Sequence, residues 1–279
     1  MTVPADPVDA VTEADARGAT AAIFADIRAT LAVEVVNLIW RHLATMPGAL
    51  EWVWGTLKPL YLGAGRDAAD DVRRNLDLPA VPRFSVETLA AAGLHDGDCA
   101  SIRAILASYH HTNALALVAF SAFLARTGNE AATPSRDAVA PNIAPAPQRA
   151  ALPRLTPISE LAPPVARLVD ELNRFGEDTD PALTASMYRH LSHWPGYLAL
   201  VRTLLVPLHE NGELLRLVAA TREMGQARGQ ALAPLLPVLQ PPPAPVVQQA
   251  TAAVARFVDH PIARMTGICA LIRHATPGQ

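Results

Sequence analysis

The sequence predicts an all-α fold: a pseudo-dimer of two tandem helical repeats with a pocket at the seam between them. Three observations lead there. Ala and Leu dominate, and no stretch alternates apolar and polar residues as a strand would. "WRHLATMPGAL" (Trp40 to Leu50) returns as "YRHLSHWPGYL" (Tyr188 to Leu198), 148 positions later. The same shift pairs Leu57, Pro59 and Leu60 with Leu205, Pro207 and Leu208, Tyr109 with Phe257, and "SAFLA" (121–125) with "CALIR" (269–273). A unit this long makes a small domain, not one step of a solenoid, whose period is roughly 20–50 residues.

Each element follows in order. In "TAAIFADIRATL", Ile23, Ile27 and Leu31 share one helical face. "VVNLIWRHLAT" continues as a helix to Met46. Pro47 fits the first turn of the next helix, "PGALEWVWGTLKPLYL", and Pro195 does the same in the second copy. A further helix covers about Asp67 to Leu76, and another opens at Ser85, a good N-cap residue. "DGDCASIRAILASYHHTNALALVAFSAFLARTG" is one long helix stopped by Gly128. The second unit begins near Leu161 with "APPVARLVDELNRFG" and passes through the helix "ELLRLVAATREMGQARGQAL". It ends in a long helix from about Ala244, after the breaker "PPPAP". The chain thus divides into a disordered segment (1–19), a first repeat (20–128), a Pro/Ala-rich linker (129–163) and a second repeat (164–279).

Composition narrows the function. Half of the 279 residues are apolar and 18% are charged, so a sizeable core can form. Net charge is −3 with no basic block, which argues against a nucleic-acid partner. Cys99 and Cys269 lie far apart in apolar helices and read as free thiols. The start of the chain has no apolar leader, and the most apolar run, Asn113 to Ala125, is shorter than a membrane span. A cytoplasmic protein with no membrane partner is the expectation.

Few residues suggest chemistry. His110 and His111 point about 100° apart on a helix, so they do not share an ion; one is expected to pack and the other to face solvent. No metal spacing accompanies them, and neither a metal nor a cofactor is expected. Asn113 shares a face with His110 and enters an apolar run, which makes it a buried polar group in need of partners. His42 and His190, like Arg41 and Arg189, occupy matching places, which points to packing and hydrogen bonding of the unit. Trp40, Trp52, Trp54 and Trp194 read as core or seam aromatics. Glu177, Asp178 and Asp180 read as capping and solvating a loop before a helix at Pro181. No phosphate loop, dinucleotide fingerprint or serine elbow is present. A pocket belongs at the seam, since small-molecule sites favour domain interfaces.

"LATMPGALEWVW", "LSHWPGYL", "LAAAGLHDGD" and "SYHHTNALAL", in that spacing over about Ala21 to Ala275, resemble the group I 2-haloacid dehalogenases. The resemblance implies a tandem-duplicated, cofactor-independent hydrolase of short 2-halocarboxylic acids. An Asp activates water, which attacks the halogen-bearing carbon directly, and an Asn holds that water in a tunnel between the repeats. The family's Asn falls on Asn113, in "YxxxN" with Tyr109. Its Ser-Asp-aromatic run falls on Ser186, Met187 and Tyr188, so Met187 stands where the family has Asp. Two aromatic pocket positions read Val35 and Leu38. The implied substrate contacts are therefore Val35, Leu38, Tyr109, Ser186 and Tyr188, and the catalytic positions Asn113 and Met187. Two functions stay open. One is a hydrolase with a substitute base, His190 three residues after Met187, or His110. The other is a non-catalytic protein binding a small carboxylic-acid-like ligand between Asn113 and Ser186. A helical peroxidase-like decarboxylase would want a Cys-x-x-Cys, which is absent. A homodimer stays open as the association state.

Overall fold

The computed structural model describes residues 8–128, 152–178 and 183–278. Every regular element among them is a helix. The first half holds α1 (Gly18–Leu31), α2 (Leu38–Leu43), α3 (Ala49–Tyr61), α4 (Ala64–Asn75), α5 (Val86–Ala91) and α6 (Asp96–Gly128). The second holds α7 (Pro163–Arg174), α8 (Ser186–Leu191), α9 (Pro195–Glu210), α10 (Glu213–Leu232), α11 (Ala244–Phe257) and α12 (Ala263–Ala275). α2 and α8 begin 148 residues apart, and so do α6 and α11. No helix among the described residues is long and apolar enough to cross a membrane.

Most elements stand where periodicity puts them, and the departures have local causes. α1 buries Phe24, Ile27 and Leu31, with Ile23 at the edge. The helix expected to run through "VVNLIWRHLAT" to Met46 covers only Leu38–Leu43. The β-branched Val33, Val35 and Val36 favour extended backbone, and the Glu13 carboxylate accepts from the Val36 N–H instead (2.8 Å). Pro47 lies outside α3, because Gly48 turns the chain at φ +81°, whereas Pro195 does open α9. The long C-terminal helix is interrupted by a π-helical turn at Val258–Ile262, where Pro261 supplies no N–H to the ladder. Ser85 caps α5 as expected, its hydroxyl accepting from Thr88 N–H (3.1 Å).

Of the segment 1–19, residues 1–7 lie outside the described residues, but residues 8–17 depart from the disorder expected of them. Val8 and Val11 pack on the core, and Val11 N–H donates to the Arg41 carbonyl (3.0 Å). The linker up to residue 151, with Asp180 and Pro181, lies outside the described residues. Its far end is structured: Arg189 Nε donates to the Thr156 carbonyl (2.9 Å). Glu177, expected in solvent, has a side chain only 3% exposed and pairs with Arg264 and His260.

Among the described residues there are two hydrophobic cores, and they do not coincide with the two sequence units. The first gathers α1–α4, residues 114–123 of α6, and α11 from the second half. The second gathers α7–α9, α12, the start of α10, and from the first half α5 with Ile102, Ile105 and Leu106 of α6. Each half thus lends part of its last helices to the other. α6 changes cores between Leu106 and Ala114, and the α11–α12 run does so between Ala263 and Met265. α6 also lies close against α10. A Cβ at Gly229 would come within 2.6 Å of the Ala122 backbone nitrogen, so glycine is required there. Trp40, Trp54, Tyr61 and Phe120 form one aromatic cluster in the first core, with Trp40–Trp54 and Trp40–Phe120 centroids 5.3 and 4.9 Å apart.

A central cavity at the crossover of the two cores

The place where the long helices change cores holds a partly open cavity of about 110 Å³. α6 presents Ser108, Tyr109, Thr112 and Asn113, one side of two helical turns. The segment before and into α2 brings Val35, Leu38 and Ile39, and the corresponding segment before and into α8 brings Leu183, Ser186, Met187 and His190. Phe257, Pro261 and Met265 close the remaining side. Many of these lie at the 148-residue shift from one another: Val35 and Leu183, Leu38 and Ser186, Ile39 and Met187, Tyr109 and Phe257, Asn113 and Pro261.

A buried polar clamp holds the approach to α8. Asn173 Nδ2 donates to the Leu183 carbonyl (3.1 Å), and its Oδ1 accepts from Ala185 N–H (2.8 Å). Arg264, wholly buried, donates to the Asn173 side chain (3.1 Å) and backbone carbonyl and lies 3.5 Å from Glu177. With both ends of its side-chain amide held, Asn173 fixes where α8 starts and turns Met187 and His190 inward.

Seven of the eight residues singled out from sequence line this one cavity: Asn113, Met187, His190, Val35, Leu38, Tyr109 and Ser186. Tyr188 does not. It is 0% exposed and sits in the second core, one helical step round from Met187, close enough to feel the Arg264 charge. His110, the other candidate base, is also absent from the cavity wall. Leu152, Leu155, Phe257 and Met265 line the cavity but were not anticipated. The linker end has no periodicity to read, whereas the 148-residue shift from Tyr109 does point to Phe257.

Beside the buried Arg41 guanidinium, two further nitrogens give the wall its polar character. Asn113 Nδ2 and His190 Nε2 are buried and have no hydrogen-bond partner among the described residues. The Tyr109 hydroxyl meets His190 Nδ1 at 2.7 Å. The residue 148 positions on is Phe257, which packs on His42 (6.1 Å between centroids), whose Nδ1 meets the Asp9 carbonyl instead. Burial, aided by the charges of His193 and Arg189 and opposed by the Pro153 carbonyl, pushes the His190 pKa down to about 4. The imidazole is therefore neutral at pH 7. When Tyr109 donates to Nδ1, Nε2 carries the proton and offers it to the cavity. Burial raises the Tyr109 phenol above its ordinary range, so it stays protonated and able to donate. Glu34, exposed, is the one carboxylate among the lining residues. The arrangement offers N–H groups in an apolar enclosure and no buried carboxylate to accept a proton. Among the described residues, no group of three His, Cys, Asp or Glu side chains is placed to hold a metal ion.

No family model matches the sequence. A configuration-inverting 2-haloacid dehalogenase from Alcaligenes xylosoxydans xylosoxydans is 32% identical over 106 residues, 37% of this chain and 36% of that protein. The aligned region is thus about a third of the relative's length. Among solved structures, a D-2-haloacid dehalogenase mutant in complex with D-2-CPA matches with a TM-score of 0.74 at 19% identity, over 98% of both chains. A D-2-haloacid dehalogenase in complex with L-LA matches at 0.73 and 17%, over 99% of both chains. The chain therefore carries the fold of the D-2-haloacid dehalogenases, and its sequence resemblance to the 2-haloacid dehalogenases, read from its motifs, is met by a configuration-inverting relative.

Proposed function

We propose that this protein is a dehalogenase-like chain that holds a short carboxylic-acid-like ligand in the central cavity and does not dehalogenate it. The observation that carries the reading is Met187, fully buried in the cavity wall where the resemblance puts the family's water-activating Asp. A thioether takes up no proton, and losing a general base removes about 100- to 10,000-fold of rate. The Asn113 amide and the His190 Nε2–H support a carboxylate ligand, since buried donors without protein partners favour an anionic acceptor. The reading includes two halves descended from one duplicated unit, chemistry without a cofactor and a cytoplasmic setting with two free thiols. It leaves the chain to act as a monomer or a homodimer.

A second reading makes His190 a relocated base, and its burial at the cavity wall is what favours it. The depressed pKa weakens that reading, because an imidazole with a pKa of about 4 is a poor proton acceptor at neutral pH.

Halide release from both enantiomers of 2-chloropropionate separates the two. The natural protein is expected to stay at background. Met187→Asp is expected to gain a rate that Asn113→Ala removes. In calorimetry the natural protein is expected to bind 2-chloropropionate, and Asn113→Ala to weaken binding about ten-fold or more. A clear natural rate that His190→Ala abolishes would replace this reading with the second one.

A further inference from the structure

A second, larger cavity lies away from the first. Its volume is about 450 Å³, and its wall carries Arg73, Arg83, Arg103, Arg273, His110 and His274 with no acidic residue among the lining groups. The four guanidinium groups come from the end of α4, the segment between α4 and α5, the first part of α6 and the end of α12. Arg73 is anchored to Asp70, and its Nη1 lies 3.2 Å from His111 Nδ1. Arg103 reaches the Pro277 carbonyl at 3.5 Å. Arg83 and Arg273 have no carboxylate partner among the described residues. Both are exposed and free to turn toward a ligand.

Three features point to a ligand. The four arginines come from separate elements and converge on one wall that carries no acidic residue. Like charges brought together repel, and an anion between them relieves that repulsion. The imidazole of His110 responds to the same field: burial, then the charges of Arg273 and Arg73, push its pKa down to about 4. The cluster is also not a by-product of the repeat. At the 148-residue shift, Arg73, Arg83, Arg103 and Arg273 face Thr221, Ala231, Thr251 and Ala125.

We propose that this cavity binds a small organic polyanion carrying at least two phosphate groups. Planar guanidinium forks match phosphate oxygens in pairs, and four of them exceed what one phosphate can engage. The volume lies in the range of ordinary small-molecule sites, and Leu78, Leu106 and Ala270 give its floor an apolar surface for the organic part. The site shares α6 with the central cavity, but its lining is separate except for that helix.

The test is calorimetric titration of the full chain with pyrophosphate and with inorganic phosphate at low ionic strength, alongside Arg83→Ala/Arg273→Ala and Arg256→Ala. Both arginines in the double variant are exposed, and a thermal melt checks that it folds. Pyrophosphate is expected to bind saturably and at least ten-fold more tightly than phosphate. The double variant is expected to lose about ten-fold or more of that affinity, and Arg256→Ala, on an exposed face of α11, none. Bound pyrophosphate is also expected to raise the His110 pKa, read by NMR of the imidazole, because it screens the arginines on all three helices and the intervening segment. Absence of saturable binding overturns the proposal, as does equal affinity for phosphate and pyrophosphate or undiminished binding in the double variant. A single-stranded oligonucleotide that binds where pyrophosphate does not would make this a polymer-binding surface instead.

Discussion

Tyr109 holds His190 from one side, and burial keeps it neutral. That has a consequence for stability. The His190 pKa falls from 6.5 to about 4 on folding, so between those values the unfolded chain binds the extra proton. His190 therefore favours the folded state fully above pH 6.5, and that contribution is lost as pH falls toward 4. One such group changes stability by up to about 1.4 kcal/mol per pH unit, and His110 acts in the same direction. Urea melts across pH 6.5 to 4 are expected to show steep loss of stability, shallower in His190→Gln; a flat profile in the natural protein would refute this. At this scale the sequence was informative where residues sit in a fixed frame: Asn113 in "YxxxN" and Ser186-Met187 ahead of Trp-Pro. It misled at Tyr188, since neighbours on a helix face different ways. It was silent at Leu152 and Leu155, because a proline-rich segment has no period from which to infer a direction.

α6 and α10 were legible nearly to the residue, because long apolar periods and terminal glycines leave little choice. Short α2 was not, since its flanking valines compete with its own helix and are settled by Glu13, a partner far away in the chain. Nor was the π-helical turn, where Pro261 bends a run that otherwise reads as one helix. The close approach of α6 to α10 gives a sharp test. Gly229→Ala drives a methyl into the Ala122 backbone, which cannot move aside as a side-chain tip could, and is expected to cost about 1–3 kcal/mol. Gly97→Ala, in the first turn of α6 with nothing within 4 Å of the new methyl, is expected to be neutral or to stabilise by up to about 1 kcal/mol. Chemical denaturation of the two variants checks the contrast; equal effects would mean that the helices part easily.

The sequence repeat announces two units, but the molecule is not two independent bodies. Each core is completed by helices from the other half. The 148-residue shift in the sequence does not show where the last helix of each half docks, because either core could satisfy the same apolar face. The expected result is one cooperative unfolding transition for the whole chain. Tryptophan fluorescence, dominated by Trp40, Trp52 and Trp54 of the first core, should coincide with far-ultraviolet circular dichroism. Two separated transitions would show that the cores unfold alone. Fragments 8–128 and 152–278, made separately, are each expected to remain without stable tertiary structure, and to recover it when refolded together.

The exchange of helices also sets a timetable for synthesis. A ribosome delivers α1–α4 early, but Val254, Phe257 and Val258, which cover the same core, come near the other end of the described chain. At usual elongation rates the gap is on the order of ten seconds or more. During it the face around Trp40 and Leu43 is exposed on a tethered nascent chain, a ready client for holding chaperones. Ribosome-arrested chains halted before α11 should yield the segment 18–75 to protease, and chains halted after α12 has emerged should protect it.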